Sequence, residues 1–398
     1  MSKILTVNCG SSSLKWSVYE MPEQKLICTG IFESLDSNNV GFYTYKLPDE
    51  DGKMQKIFED VGMHSETSHR DAVIKMTELL LDEKTGVIED LSEISAVGHR
   101  VVQGGDIFTK STLIDDSVIK TIGELIPLAP LHNPAHITGI EICREVFGDA
   151  LPQVAVFDNA FHSTMPATSY MYALPYELYE EHKIRKYGFH GTSHKYVANR
   201  VADIMNKPLE ELKLITCHLG NGCSITAIKD GKVLDTSMGF TPLDGFMMGT
   251  RCGDIDPSIV TYLMSKYNKD ELNNIMNKQS GVLGISGVAS DDRIVAEAAN
   301  EGDERAKLAR DMQWYQIRKF IGSYVSAMNG ADVIVFTAGI GENCPELRED
   351  VINNLSYLGI TLDEDANKQR GKEFEISTKD SKVKAFVIPT NEELMIAL

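Results

Sequence analysis

ILTVNCGSSSLKWSVYE (residues 4–20) is the stretch that decides how this chain is read. A β-rich run ends in the turn Asn8-Cys9-Gly10-Ser11-Ser12-Ser13, and a second apolar run leaves it at once, so a hairpin is predicted. Its mouth would present successive backbone N–H groups, three hydroxyls and Lys15, a concavity suited to phosphate oxygens and a metal ion. For this segment alone a plain polar turn is the alternative. A relative, CHLGNGCSITAIK (217–229), stands about 210 residues further on. Both run strand, glycine-polar turn, strand, with another strand after. The period of this weak internal repeat is about half the chain. It predicts a duplicated β-rich α/β unit whose glycine hairpins face each other across a cleft holding a nucleotide's phosphates.

At 398 residues the chain is too long for one ordinary core, so two domains are expected. Apolar content of 42% and charged content of 24% describe a globular chain rather than a disordered one. Its 39 basic and 58 acidic residues give a formal charge of −19, a field that disfavours nucleic acid and anionic membranes as partners. An anionic substrate would need local Arg, Lys, Mg²⁺ and backbone N–H groups to override that field. The seven cysteines form no C-x-x-C pair, which predicts reduced thiols in a cytoplasmic protein, with Cys217 and Cys223 as strand fillers. No run approaches the ~18 apolar residues of a membrane span, and the N-terminal run is too short and polar-flanked for a signal peptide.

Strands are expected to about Gly30, followed by a polar excursion over 35–60 and a helix at about 70–83. Residues 95–106 read as a strand feeding a Gly-Gly turn, and 153–158 as a short buried strand ending on Asp158. Asn133-Pro134 reads as an N-cap and first-turn proline. Thr192 or Ser193 is expected to cap a helix running to Met205. Three strands are predicted over 213–237, a helix from Asp256-Pro257, and a long helix over 303–329. Residues 332–343 read as an apolar strand ending in a glycine turn, with a helix from Pro345, and 384–390 as a final strand before a short helix.

Ten segments, in order, resemble the acetate kinase family, within the superfamily of actin-like, sugar-kinase and heat-shock chaperone ATPases. They are NCGSSSLK (8–15), GHRVVQGG (98–105), APLHNP (129–134), FDNAFH (157–162), YGFHGTSH (187–194), HLGNG (218–222), GFTPLDGFMMGTRCGDIDP (239–257), SDDR (290–293), TAGIGEN (337–343) and PTNEEL (389–394). The resemblance implies an α/β fold of two ribonuclease-H-like, actin-like domains with an active-site cleft between them that closes about a hinge. The second domain would be inserted, giving 1–150 with 385–398 and 151–384. It implies Mg²⁺-dependent, reversible phosphoryl transfer from ATP to acetate by direct in-line attack, with Mn²⁺ as a substitute ion, in a homodimer. Matched position by position, Asp158, His190 and Arg251 would be catalytic. Arg100 would hold the acid, with Val102, Leu131, Phe189 and Pro242 around its acyl chain. ATP would meet Lys15, His218, Leu219, Gly220, Asn221, Gly222, Asp291, Asp292, Arg293, Gly339, Ile340, Gly341, Glu342 and Asn343. Asn8 and Glu392 would serve the metal, with the neighbouring Glu393 leaving that match open by one residue.

The chemistry fits these residue types. A carboxylate acceptor is already ionised near pH 7, its reference pKa being about 4, so no general base is needed and positioning and charge stabilisation carry the reaction. Arg100 suits a planar carboxylate, Arg251 and His190 suit phosphoryl oxygens, and Glu392 with Asp158 nearby through water suits Mg²⁺.

Other readings fit less well. Residues 339–344 are a partial G-x-G-x-x-G, but Cys344 and the helix after Pro345 argue against a dinucleotide fold. His132/His136 and His190/His194 have metal-pair spacing without H-E-x-x-H, and capping or packing is expected of them. No G-x-S-x-G or Walker motif occurs. A propionate or other short-acyl kinase, and an actin-like ATPase module that binds no small acid, are the remaining alternatives.

Overall fold

Residues 2–37 and 39–398 are described by the computed structural model, which divides into Met1–Ala160 with Asn391–Leu398, and Phe161–Thr390. The first unit contains β1 (Ser2–Cys9), β2 (Ser13–Met21), β3 (Lys25–Glu33), β4 (Val40–Pro48), β5 (Met54–Ser65), β6 (Ile94–Val101), β7 (Thr112–Leu113) and β8 (Gln153–Phe157). They form one sheet in the order β5-β4-β3-β2-β1-β6-β8-β7. β1 to β5 run antiparallel, and β1, β6 and β8 run parallel.

The second unit contains β9 (Leu214–Leu219), β10 (Cys223–Lys229), β11 (Lys232–Thr236), β12 (Val333–Thr337), β13 (Phe374–Glu375) and β14 (Lys384–Val387), in the order β11-β10-β9-β12-β14-β13. Again the first three strands are antiparallel and β9, β12 and β14 parallel. The order β3-β2-β1-β6-β8 in one sheet matches β11-β10-β9-β12-β14 in the other, which is the duplication that the glycine hairpins announced, and each hairpin joins the first two strands of its unit. Every residue of β9 and β12 is buried, as parallel strands covered on both faces should be.

Several expectations change. The polar excursion over 35–60 is largely the hairpin β4–β5 at the sheet edge (Asn38 lies outside the described residues). β5 is mostly exposed and carries Lys56, Glu59 and Asp60, the charged face that keeps an edge from pairing further. Such a strand reads like a loop. β4 nonetheless reaches the core, Tyr45 stacking on Trp16 at 5.6 Å between centroids.

The domain division moves to 160/161 and 390/391. β8 pairs with β6 of the first sheet, while β14 pairs with β12 of the second, so the strand at 384–387 does not rejoin the first unit. Only the helix Glu392–Ala397 does. It packs on β6 at Gly98, where a Cβ would stand 2.6 Å from Ile396 Cγ2. Residue 98 must therefore lack a side chain for Glu392 to reach its place.

Two caps differ as well. His132 is the N-cap of the helix Asn133–Phe147, and Asn133 instead bonds the Gln103 backbone, N–H to Oδ1 at 3.3 Å and Nδ2 to the carbonyl at 3.1 Å. His190 is the N-cap of the helix Gly191–Met205, with Thr192 and Ser193 inside its first turn. The glycine turn after β12 is a short helix, Ala338–Asn343.

Candidate active site

In the first unit three parallel neighbours bring the chemistry to one end of the sheet. β1, β6 and β8 run in register, Val7 with His99 and Val101 with Phe157, so Asn8, Arg100 and Asp158 emerge at their carboxyl ends. Open α/β sheets bind ligands at that end. Arg100 lies side-on to Asp158, with Nε 3.1 Å from Oδ1 and Nη2 2.6 Å from Oδ2, while Nη1 donates to Asn8 Oδ1 at 3.3 Å. Burial opposes the Arg100 charge, but Asp158 and then Glu392 and Glu393 outweigh it and raise the guanidinium's pKa. Any acid bound here would have to share this guanidinium with Asp158, or displace the carboxylate.

Asn391 caps the C-terminal helix, its Oδ1 accepting from the Leu394 N–H and from the Tyr19 hydroxyl, both at 3.0 Å. Glu393 pairs with Lys15. Lys15, expected at the nucleotide, thus has a carboxylate partner within its own unit. Glu392 has its pKa raised, first by burial, with Arg100 opposing and Asp158 and Glu393 adding to the rise. Three carboxylates here face two cations, a deficit that a divalent ion would relieve. Among the described residues no group of three or more His, Cys, Asp or Glu is arranged to hold a metal. Mg²⁺ taking one or two carboxylates, waters and substrate phosphates needs no such group, and Glu392 fits that demand better than the paired Glu393. Val102 is buried and Leu131 exposed. His136 is buried, and burial, then the Arg100 and His132 charges, hold it neutral.

In the second unit a cavity of about 650 Å³ is lined by Gly220 and Asn221 of the β9–β10 turn, by residues 290–293, by Gly339, Ile340, Asn343 and Cys344, and by Arg370. Its volume lies in the range of small-molecule sites, about 300–1,000 Å³. Asp291 caps the helix Asp292–Asn300 and holds Arg293 through two hydrogen bonds, 3.0 and 2.6 Å, its pKa lowered to about 2 mainly by Arg293. Asp292 is mostly buried against Arg310 at 3.4 Å. Gly341 and Glu342 are not in the cavity wall: the Gly341 carbonyl accepts from Arg348 Nη1 at 2.9 Å, and Glu342 Oε1 accepts from the Thr390 N–H at 3.2 Å. Leu219 is core. Arg370 escaped the sequence reading, because it stands in a polar stretch with no motif around it.

Beside the cavity the β9–β10 turn meets two donors. A Cβ on Gly222 would lie 3.3 Å from Arg251 Nη1 and 3.5 Å from His190 Nε2. Both groups therefore reach one small space over a backbone with no side chain. Arg251 has its pKa lowered by burial. Its recorded partners are neutral, the Pro242 carbonyl at 3.3 Å and Met248 Sδ at 3.6 Å. Among the described residues this half-buried cation has no carboxylate partner, which is what an incoming anion requires. The His190 ring stacks on His218, centroids 4.1 Å apart, and its backbone is left-handed at φ 59°. Ala338, at the start of the glycine helix, has φ 64°. Strained backbone of this kind collects at functional sites. Phe189 is buried and Pro242 half-buried.

The Acetokinase family model matches residues 3–398. The chain is 55% identical over 398 residues to the acetate kinase of Thermoanaerobacterium thermosaccharolyticum, covering 99% of this chain and 97% of that enzyme. It matches the crystal structure of Porphyromonas gingivalis acetate kinase with a TM-score of 0.92 at 44% identity, over 100% of this chain and 98% of that one. A propionate kinase from Francisella tularensis gives 0.90 and 45%, over 100% and 98%.

Proposed function

The chain belongs to the acetokinase family, and we propose that it transfers the γ-phosphoryl group of ATP to acetate, reversibly, giving acetyl phosphate and ADP. A carboxylate oxygen attacks the γ-phosphorus in line as the bond to the ADP oxygen breaks. The acid is already ionised, its reference pKa being about 4, so no base has to take a proton. What the protein must supply is position and positive charge around the three equatorial oxygens.

Arg251 and His190 are the donors assigned to those oxygens, and Arg100 to the acid. Asp158 orients Arg100. Mg²⁺ held through Glu392, or Mn²⁺ in its place, would neutralise phosphate charge. The observation that carries this reading is the approach of Arg251 Nη1 and His190 Nε2 to one point over Gly222. It lies next to a nucleotide-sized cavity whose wall shares the same turn. A cytoplasmic homodimer belongs to the same proposal. The free cysteines support a reducing compartment, and among the described residues no helix is long and apolar enough to cross a membrane.

A panel of short acids and nucleotides, with acyl phosphate trapped by hydroxylamine, tests it. Acetate with ATP should give the hydroxamate. ATP turnover indifferent to every acid offered would overturn the proposal and favour an ATPase module. Propionate is the second reading, favoured by the 45% identity to the Francisella tularensis enzyme. One methylene in an apolar pocket is worth about 1–3 kcal/mol, so both acids should react and their kcat/KM values rank them.

A further inference from the structure

Behind His190 the second unit holds three side chains that the reaction above does not use. Ser224 Oγ lies 2.8 Å from His190 Nδ1 and 2.7 Å from His194 Nε2, and His194 Nδ1 lies 2.7 Å from Thr216 Oγ1. Ser224, His194 and Thr216 are each 0% exposed. Burial first, then the His162 and His218 rings, push the His194 pKa far below the usual imidazole range. His194 is therefore neutral and carries one N–H.

Each hydroxyl has one proton, so the chain can run in two directions. In the first, Thr216 donates to His194 Nδ1, His194 Nε2–H donates to Ser224, and Ser224 donates to His190 Nδ1. The Thr216, His194 and Ser224 protons then each have an acceptor, and the His190 proton stands on Nε2, outside the chain. In the second, His190 Nδ1–H donates to Ser224, Ser224 to His194 Nε2, and His194 Nδ1–H to Thr216. The Thr216 proton would then need a further acceptor. Among the described residues the recorded partner of that hydroxyl is His194, so the second direction strands a buried donor and is disfavoured.

We propose that Ser224, backed by His194 and Thr216, is a positioning residue that keeps His190 in the tautomer with its proton on Nε2. That nitrogen is the one turned towards Gly222 and Arg251, so His190 donates to a phosphoryl oxygen while uncharged. The FHGTSH segment supports the arrangement, because Ser193 and His194 stand three and four residues after His190, on one side of the helix. Ser193 in turn bonds His218 Nδ1 at 2.8 Å, which holds the ring stacked on His190. The inference rests on the phosphoryl-transfer reading for its role, but not for its geometry.

The test uses the full chain labelled with ¹⁵N-histidine, the His190 signal being identified by its loss in His190→Gln. Long-range nitrogen–proton correlations should show His190 protonated on Nε2 in the wild type and shifted towards Nδ1 in Ser224→Ala. In the same variant kcat should fall about 10–100-fold, the range found for outer hydrogen-bond partners of metal-bound imidazoles, with both KM values nearly unchanged. Ser224→Thr, which keeps the hydroxyl, should recover much of kcat, and the isosteric Thr216→Val should lower it in the same direction by less. A wild-type His190 protonated on Nδ1, or an unaltered kcat in a folded Ser224→Ala protein, would overturn the proposal. If no acid is phosphorylated at all, the reaction is wrong and the tautomer measurement still decides the hydrogen-bond chain.

Discussion

A methyl group on residue 222 would stand 3.3 Å from Arg251 Nη1 and 3.5 Å from His190 Nε2, in the space proposed for a phosphoryl oxygen. Gly222→Ala should therefore lower kcat by at least about 10-fold, since a misplaced reacting group costs up to 10²-fold. The neighbours are side-chain ends that can shift, so the melting temperature should barely change. Unaltered turnover would remove this space from the reaction. Arg100→Ala should have two separable effects. The KM for the acid should rise by about 100-fold, and Asp158, buried at 1% exposure, would lose the Arg100 ion pair at a cost of about 3 kcal/mol. Adding Asp158→Asn should restore much of the stability without restoring affinity for the acid. A single variant with normal acid kinetics would make Arg100 structural. Both arginines were legible as residues of Gly-rich motifs. Their difference was not, because Arg100 finds its carboxylate 58 positions away while Arg251 finds neutral partners.

Among the elements, the segment 239–257 that carries Pro242 and Arg251 is held by acids. The Tyr172 hydroxyl donates to Asp244 Oδ2 at 2.6 Å, the Gly245 N–H donates to Asp254 Oδ1 at 2.7 Å, and the Asp254 N–H donates to the Gly245 carbonyl at 2.6 Å. Burial, then the hydrogen bond with Asp244, pushes the Asp254 carboxyl from 3.8 up to about 7. The unfolded chain loses that proton first. Between those pH values the folded state binds more protons, so this group's contribution makes stability fall as pH rises from near 4 to near 7. Asp254→Asn should remove that slope, and the difference between the two proteins isolates it from carboxylates held low elsewhere. Denaturant unfolding across this range tests it, and parallel pH profiles would refute it. Element type was readable wherever period and turn chemistry agreed. The β4–β5 edge hairpin was missed because its exposed face is charged, and the His190 cap because a left-handed histidine has no local signature.

Over the whole molecule, two sheets share the order antiparallel, antiparallel, central, parallel, parallel, each with a glycine hairpin at its start. The first unit carries Asn8, Arg100, Asp158 and Glu392, and the second carries the cavity, His190 and Arg251. That division predicts a partition of kinetic effects. Arg100→Ala should raise the KM for the acid and leave ATP binding nearly intact, whereas Arg370→Ala, in the cavity wall, should weaken ATP and spare the acid. Calorimetric ATP titration with steady-state kinetics reads both, and a variant that weakens the two substrates equally would contradict the division.

Local patterning was enough to determine the two glycine hairpins and most strands and helices, and ten ordered motifs carried the resemblance to the family. Hydrophobic period, turn chemistry and motif spacing are properties of neighbouring residues, so they survive in a linear text. Tertiary structure alone decided that β14 belongs to the second sheet, that Glu393 rather than Glu392 pairs with Lys15, and that Ser224 stands between two histidines. Those outcomes depend on which strands pair and which buried polar atoms then find partners, a competition settled only when distant segments pack.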